Sequence, residues 1–223
     1  MANILNIETS TTNCSVAVSV HGEQIVLNED NSSSYSHAER LHVYIDEVLN
    51  SAQIRRDELH AVAVSKGPGS YTGLRIGVSA AKGLCYALDI PLISVPTLES
   101  LAHKAELEKG CIVAMLDARR MEVYSAVFDT NYQCIEPTSA KVLDTSSYND
   151  FLQNQPVYFV GNAVEKTQSI INHPNAHFYA QLPSAQQMCG LSFAKFKADD
   201  FEDLAYFEPF YLKDFIAIPS NKI

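Results

Sequence analysis

No apolar run in this 223-residue sequence approaches the ~20 residues needed to cross a bilayer, and the longest, Cys111–Leu116, holds six. The N-terminus, MANILNIETSTTNC, lacks the positive charge and apolar core of a secretory signal, so a cytoplasmic location and no membrane attachment are expected. The five cysteines, Cys14, Cys85, Cys111, Cys134 and Cys189, are odd in number and contain no C-x-x-C pair. That excludes a disulfide framework or zinc ribbon and leaves reduced, mostly core thiols. There is no Walker A G-x-x-x-x-G-K-[ST], no H-E-x-x-H and no low-complexity tract.

Basic residues are also scarce. Sixteen Lys and Arg stand against 26 Asp and Glu, a net charge of −10, and each half, 1–110 and 111–223, carries 8 basic and 13 acidic side chains. Such a field repels a phosphate backbone, so RNA binding by the chain alone is not expected. What is present is an ordinary globular composition, 47% hydrophobic and 19% charged, enough for one large domain or two of about 110 residues.

Three alternating runs at 3–9, 14–20 and 23–29 predict an antiparallel meander. Ala38, Leu41, Ile45, Val48, Leu49 and Ala52 then predict a helix over 35–53, with Ser34 or Ser36 as its N-cap. A strand at 61–65, a helix at 72–88, a strand at 92–95 and a helix at 97–108 closed by Gly110 follow. From Cys111 the order repeats: strands near 111–117, 121–129 and 133–143, a short helix, strand 156–160, helix 162–172, strand 176–179 and helix 184–199. Each half reads βββαβαβα, an α/β order of mixed sheets with helices on both faces. We therefore expect two ribonuclease H-like domains, 1–110 and a smaller 111–223 with a C-terminal extension, as in the actin, Hsp70 and sugar-kinase superfamily. The first strand of each half ends in an acid and a polar turn, Glu8-Thr9-Ser10 and Asp117-Ala118-Arg119-Arg120. In that superfamily these turns face a shared cleft.

Five of the nine glycines fall within 67–83. The loop Gly67-Pro68-Gly69-Ser70-Tyr71-Thr72-Gly73, with Arg75 beyond it, joins a buried strand to a helix, and its backbone N–H groups are candidates for holding an anion. Gly73, Gly77 and Ala81 lie four apart as a small-residue stripe within that helix, where each glycine costs about 1 kcal/mol relative to alanine. The stripe either packs inside the chain or receives a helix of another chain. The histidines give no ligand set: His37 and His42 lie on different helix faces, His173 and His177 bracket Pro174, and His21, His60 and His103 have no partner in sequence.

ILNIETSTTNCSVAV, SHAERL, GPGSYTGLRIGVSAAKGL, DARRMEVYSAVF and PFYLKDF together resemble the TsaB (YeaZ) family. The likeness implies a subunit of the machinery that places threonylcarbamoyl on the adenosine following the tRNA anticodon, paralogous to its catalytic subunit TsaD and to the M22 glycoprotease-like group. TsaD carries H-M-E-G-H where this chain has Thr97-Leu98-Glu99-Ser100-Leu101, so the resemblance implies that both metal histidines are replaced. It therefore implies no catalytic residues, no metal and no firmly bound cofactor, with ATP and metal belonging to the partners TsaD and TsaE and tRNA met only through the complex. Pairing with TsaD is expected through the helices 35–53 and 72–88, at His37, Leu41, Ile45, Gly73, Gly77 and Ala81, and the same surface would close a homodimer when the chain is alone. Arg119, Arg120 and Arg75 are candidates for contacting a nucleotide or an acidic partner. Competing readings are a metal-dependent peptidase, a small kinase using the Glu8 and Asp117 turns, and a structural homodimer.

Overall fold

The structure, a computed structural model, describes residues 2–30 and 37–213. Strands β1 (Asn3–Glu8), β2 (Cys14–Val20) and β3 (Glu23–Asp30) form the expected meander. His21 and Gly22, both at positive φ, make the tight turn between the last two, the backbone that matches a hairpin's twist. Helix α1 (His37–Ala52), β4 (Ala61–Gly67), α2 (Tyr71–Leu88) and β5 (Leu92–Pro96) complete the first sheet in the order β3-β2-β1-β4-β5. β4 runs parallel to β1, and β5 parallel to β4.

After α3 (Thr97–Ala102), strands β6 (Cys111–Asp117), β7 (Glu122–Phe128) and β8 (Cys134–Val142) open a second sheet. Helix α4 (Asn149–Leu152), β9 (Val157–Gly161), α5 (Val164–Gln168), β10 (Ala176–Tyr179) and α6 (Ala185–Lys197) follow. The order β10-β9-β6-β7-β8 repeats that of the first sheet, so both have the ribonuclease H-like arrangement. No helix among the described residues is long and apolar enough to cross a membrane.

The helices are exchanged between the halves. Leu5, Ile7, Val16, Val18, Val62 and Val64 bury one face of the first sheet under α1 and α2. Its other face, built on Ile4, Ala17, Ala61, Ala63, Ile93 and Val95, is covered by Ala185, Met188 and Cys189 of α6, from the far end of the chain. Three alanines on that face let α6 sit close to the sheet. Reciprocally, Leu98, Leu101 and Ala102 of α3 leave the first half and pack on Ile112, Ala114, Ala126 and Val160 of the second sheet. α4 and α5 cover its remaining face.

Several element ends differ from the sequence expectation. The helix expected over 97–108 stops at Ala102, because the charged stretch beyond has no apolar stripe to bury. Gly110 does not close it: at φ 97° it lies against the Pro156 carbonyl, where Cys111 N–H bonds that same oxygen at 3.1 Å. α5 likewise occupies only Val164–Gln168 of the expected 162–172. The expected Ser34 or Ser36 cap lies outside the described residues.

The C-terminal segment returns to the first half. Leu204 and the buried Phe207 join its core, Lys82 Nζ donates to the carbonyls of Ala205 and Phe207, and Phe210 N–H donates to Lys66 O at 2.7 Å.

Candidate functional site

The glycine-rich loop is filled by the chain's own first turn. Ser70 caps α2, its Oγ accepting from Gly73 N–H at 3.3 Å, and its own N–H donates to Ser10 O at 2.6 Å. A Cβ on Gly69 would collide with the Ser10 carbonyl, one on Gly73 with the Thr9 carbonyl and one on Gly77 with Thr9 Oγ1. Thr9 Oγ1 donates to Gly73 O at 2.8 Å, which fastens the turn to the helix. On the far side the Phe210 carbonyl lies where a Gly67 side chain would stand. The loop's glycines therefore serve close packing on the first turn, and the Ser70 and Gly73 N–H groups are taken by the chain's own oxygens.

Beneath it, Glu8 is fully buried at the end of β1. Its Oε1 accepts from Ser10 N–H at 2.6 Å and Ser65 Oγ at 2.9 Å, while Oε2 has no hydrogen-bond partner among the described residues. Burial pushes this carboxyl above the usual glutamate range against the opposing pull of those bonds.

The expected partner-facing residues point inward. His37, Leu41, Ile45, Gly73, Gly77 and Ala81 are all buried within the chain. His37 Nε2 meets Thr11 O at 2.6 Å, and Leu41, Ile45 and Ala81 belong to the core under the first sheet. The pairing surface expected at those six positions is thus corrected: they hold α1 and α2 to their own sheet. The free faces of the two helices lie a fraction of a turn away and enclose an open groove of about 680 Å³, lined by His42, Thr72, Arg75, Ile76, Ala80 and Gly83 among others. Its small residues, Ser79, Ala80 and Gly83, form a second stripe. Among the described residues, nothing outside the helix's own backbone lies within 4 Å of where a Gly83 Cβ would be, so no packing against another element calls for a glycine there. At the groove's mouth the Arg75 guanidinium lies 4.8 Å over the Tyr71 ring, and Tyr71 packs on Tyr211 with centroids 5.0 Å apart. Composition marked Gly83 as part of the glycine cluster, but its offset from the Gly73-Gly77 register hid it.

The turn of the second half is built differently from the first. Asp117 is exposed, accepts from Arg119 N–H at 2.6 Å and pairs with Lys166 of α5 at 2.7 Å. Lys166 Nζ also donates to the carbonyls of Arg120, at 3.1 Å, and Glu122, at 2.5 Å. Arg119 and Arg120 are both left-handed, at φ 69° and 51°, with exposed side chains. Glu8 is wholly buried at the end of β1, whereas Asp117 at the end of β6 is exposed.

No group of three or more His, Cys, Asp or Glu side chains suited to a metal occurs among the described residues. Leu101 packs in the second sheet's core, Thr97 is wholly buried, and His103 stacks on Tyr132 at 3.8 Å.

Comparison with known proteins agrees with this architecture. The family profile described as TsaD, tRNA N6-adenosine threonylcarbamoyltransferase, matches residues 25–218. The Haemophilus influenzae protein named tRNA threonylcarbamoyladenosine biosynthesis protein TsaB is 30% identical, over 95% of this chain and 93% of its own. A Bacillus cereus tRNA N6-adenosine threonylcarbamoyltransferase is 38% identical over 41% of this chain and 31% of its own. The solved structure of YeaZ from Pseudomonas aeruginosa superposes with a TM-score of 0.82 at 26% identity, covering 95% of this chain and all (100%) of that one. With two repeated sheets, an inward-turned glycine loop and these relatives along its length, the chain belongs to the TsaB (YeaZ) family.

Proposed function

We propose that the chain is an accessory, non-catalytic subunit in the synthesis of threonylcarbamoyladenosine on tRNA, and that it docks onto the catalytic paralogue TsaD through the α1–α2 groove. The relatives' names supply the pathway. The observation that carries the docking role is Gly83 with Ser79, two exposed small residues on an open, largely apolar groove where no other element of the described chain packs against the Gly83 position. A mid-helix glycine costs about 1 kcal/mol, and close approach of another helix backbone offsets that cost. A paralogue with the same helix pair fits, giving a bundle of four helices; without it a second copy of this chain covers the face. The non-catalytic part of the reading is supported by the apolar surroundings of Leu101 and by the sealed Glu8 carboxyl, neither of which offers a ligand to metal or nucleotide. ATP and metal then belong to TsaD and the ATPase TsaE.

The deciding experiment is nucleoside mass spectrometry on tRNA incubated with threonylcarbamoyl-adenylate, ATP, TsaD and TsaE, with and without this chain. Modification that depends on the chain, with none from the chain alone, is the expected result. Equal modification without it would overturn the reading and return attention to a peptidase or kinase activity.

A further inference from the structure

The distribution of charge around Asp117–Glu122 is unusual for so acidic a chain. Three of the six arginines are paired with carboxylates, Arg40 with Asp30, Arg55 with Asp57 and Arg56 with Asp46, and Arg75 lies over Tyr71. Arg119 and Arg120 have no ion pair among the described residues, although their own turn contains two acids. Both acids are taken by lysines from elsewhere: Asp117 by Lys166 and Glu122 by Lys213. Among the described residues, those pairs leave two adjacent guanidiniums unneutralised on a surface where acids outnumber bases.

The turn that carries them is also held in place. Successive left-handed residues cost roughly 1–2 kcal/mol each for L-amino acids, and here Asp117 Oδ1, Asn162 Oδ1 and the Lys166 ammonium bond the surrounding backbone. A strap of the C-terminal segment links it to the docking groove. Phe210 is bonded to Lys66 and Tyr211 packs on Tyr71 at the start of α2, and two residues further on Lys213 reaches Glu122. That short strap ties the arginine turn to the mouth of the groove.

We propose that Arg119 and Arg120 form a phosphate-contacting finger that engages the RNA backbone when the chain sits in its complex, an inference that rests on the functional reading above. A guanidinium presents a planar fork matched to phosphate oxygens. A phosphodiester backbone offers successive anions to two neighbouring forks, whereas the chain's net charge of −10 disfavours RNA over most of its remaining surface. Electrostatics thus confine the contact to such a turn and make it subordinate to a partner that supplies most of the affinity.

The test is tRNA binding by the reconstituted complex with TsaD, measured across a salt series, for wild type, R119Q/R120Q and R119K/R120K. The glutamine pair is expected to bind tRNA roughly ten-fold more weakly near ~0.1 M salt and to lower the magnitude of the log–log salt slope by about two, one per lost phosphate contact. The lysine pair is expected to retain the slope. Thermal midpoints and TsaD affinity of both variants should match wild type. An unchanged salt slope overturns the finger, and loss of TsaD affinity instead assigns the arginines to an acidic protein surface. Chain-dependent modification that survives with an unchanged slope removes this inference alone, whereas modification that never depends on the chain removes the functional reading beneath it.

Discussion

The Cβ that Gly73 lacks would fall inside the van der Waals shell of the Thr9 carbonyl oxygen, and Thr9 Oγ1 in turn donates to the Gly73 carbonyl at 2.8 Å. Helix α2 and the first turn thus touch backbone to backbone. Gly73→Ala is expected to destabilise the fold by about 2–4 kcal/mol, because the turn must move and its Ser10–Ser70 bond must stretch. A fall in the urea midpoint with unchanged slope would show it; an unchanged midpoint would mean that the turn yields freely.

Gly83 should behave oppositely. Its exposed position leaves room for a methyl group, so Gly83→Ala is expected to stabilise the isolated chain by roughly 0.5–1 kcal/mol through helix propensity. Gly83→Leu should leave the thermal midpoint near wild type yet weaken association with TsaD at least ten-fold, read by titration calorimetry. Leucine-substituted protein that still binds TsaD normally would place the interface elsewhere.

Glu8 gives a pH signature. Burial raises its folded-state pKa above the ordinary 4.5. As pH climbs past that value the unfolded chain releases a proton that the folded chain keeps, so the group's contribution is present at low pH and is lost as pH rises through the folded pKa. Glu8→Gln retains an oxygen for Ser10 N–H and Ser65 Oγ but cannot ionise. Its urea midpoint should therefore decline less than that of wild type as pH rises above the ordinary glutamate range. Parallel curves would show that Glu8 is ionised in the folded protein.

Lys166 bridges one carboxylate and two carbonyls with its side chain largely buried, 17% exposed. Lys166→Met keeps the aliphatic stem and removes the donors, and should cost about 1–3 kcal/mol. Hydrogen exchange is expected to quicken in residues 117–122 above all. Uniform protection in that turn would show that Asp117 and Asn162 suffice to hold it.

Much of the architecture was legible because strand alternation and helix stripes report directly which residues are apolar on which face. The three-strand meander, its His21-Gly22 turn and the repeat from Cys111 needed nothing more. The same stripes cannot say what covers a face. Leu98 and Leu101 read as an ordinary amphipathic turn, and only the structure shows them on the other half's sheet. The Gly73-Gly77-Ala81 register was visible too, but a small residue admits any close neighbour, and here the neighbour is Thr9 of the same chain. Lys166 left no signal, being 49 residues from its partner Asp117.

The reciprocal crossing of α3 and α6 makes the two halves a clasp. A cut between residues 110 and 111 would strip α6 from the alanine-rich face of the first sheet and would leave the second sheet's Ile112 and Ala114 without Leu98 and Leu101. Either fragment expressed alone would expose a bare apolar surface and aggregate, while the two produced together should recover each other's missing helix and reassemble. The clasp also restrains the hinge opening by which enzymes with two such sheets admit a ligand, since any rotation must slide two buried helices at once.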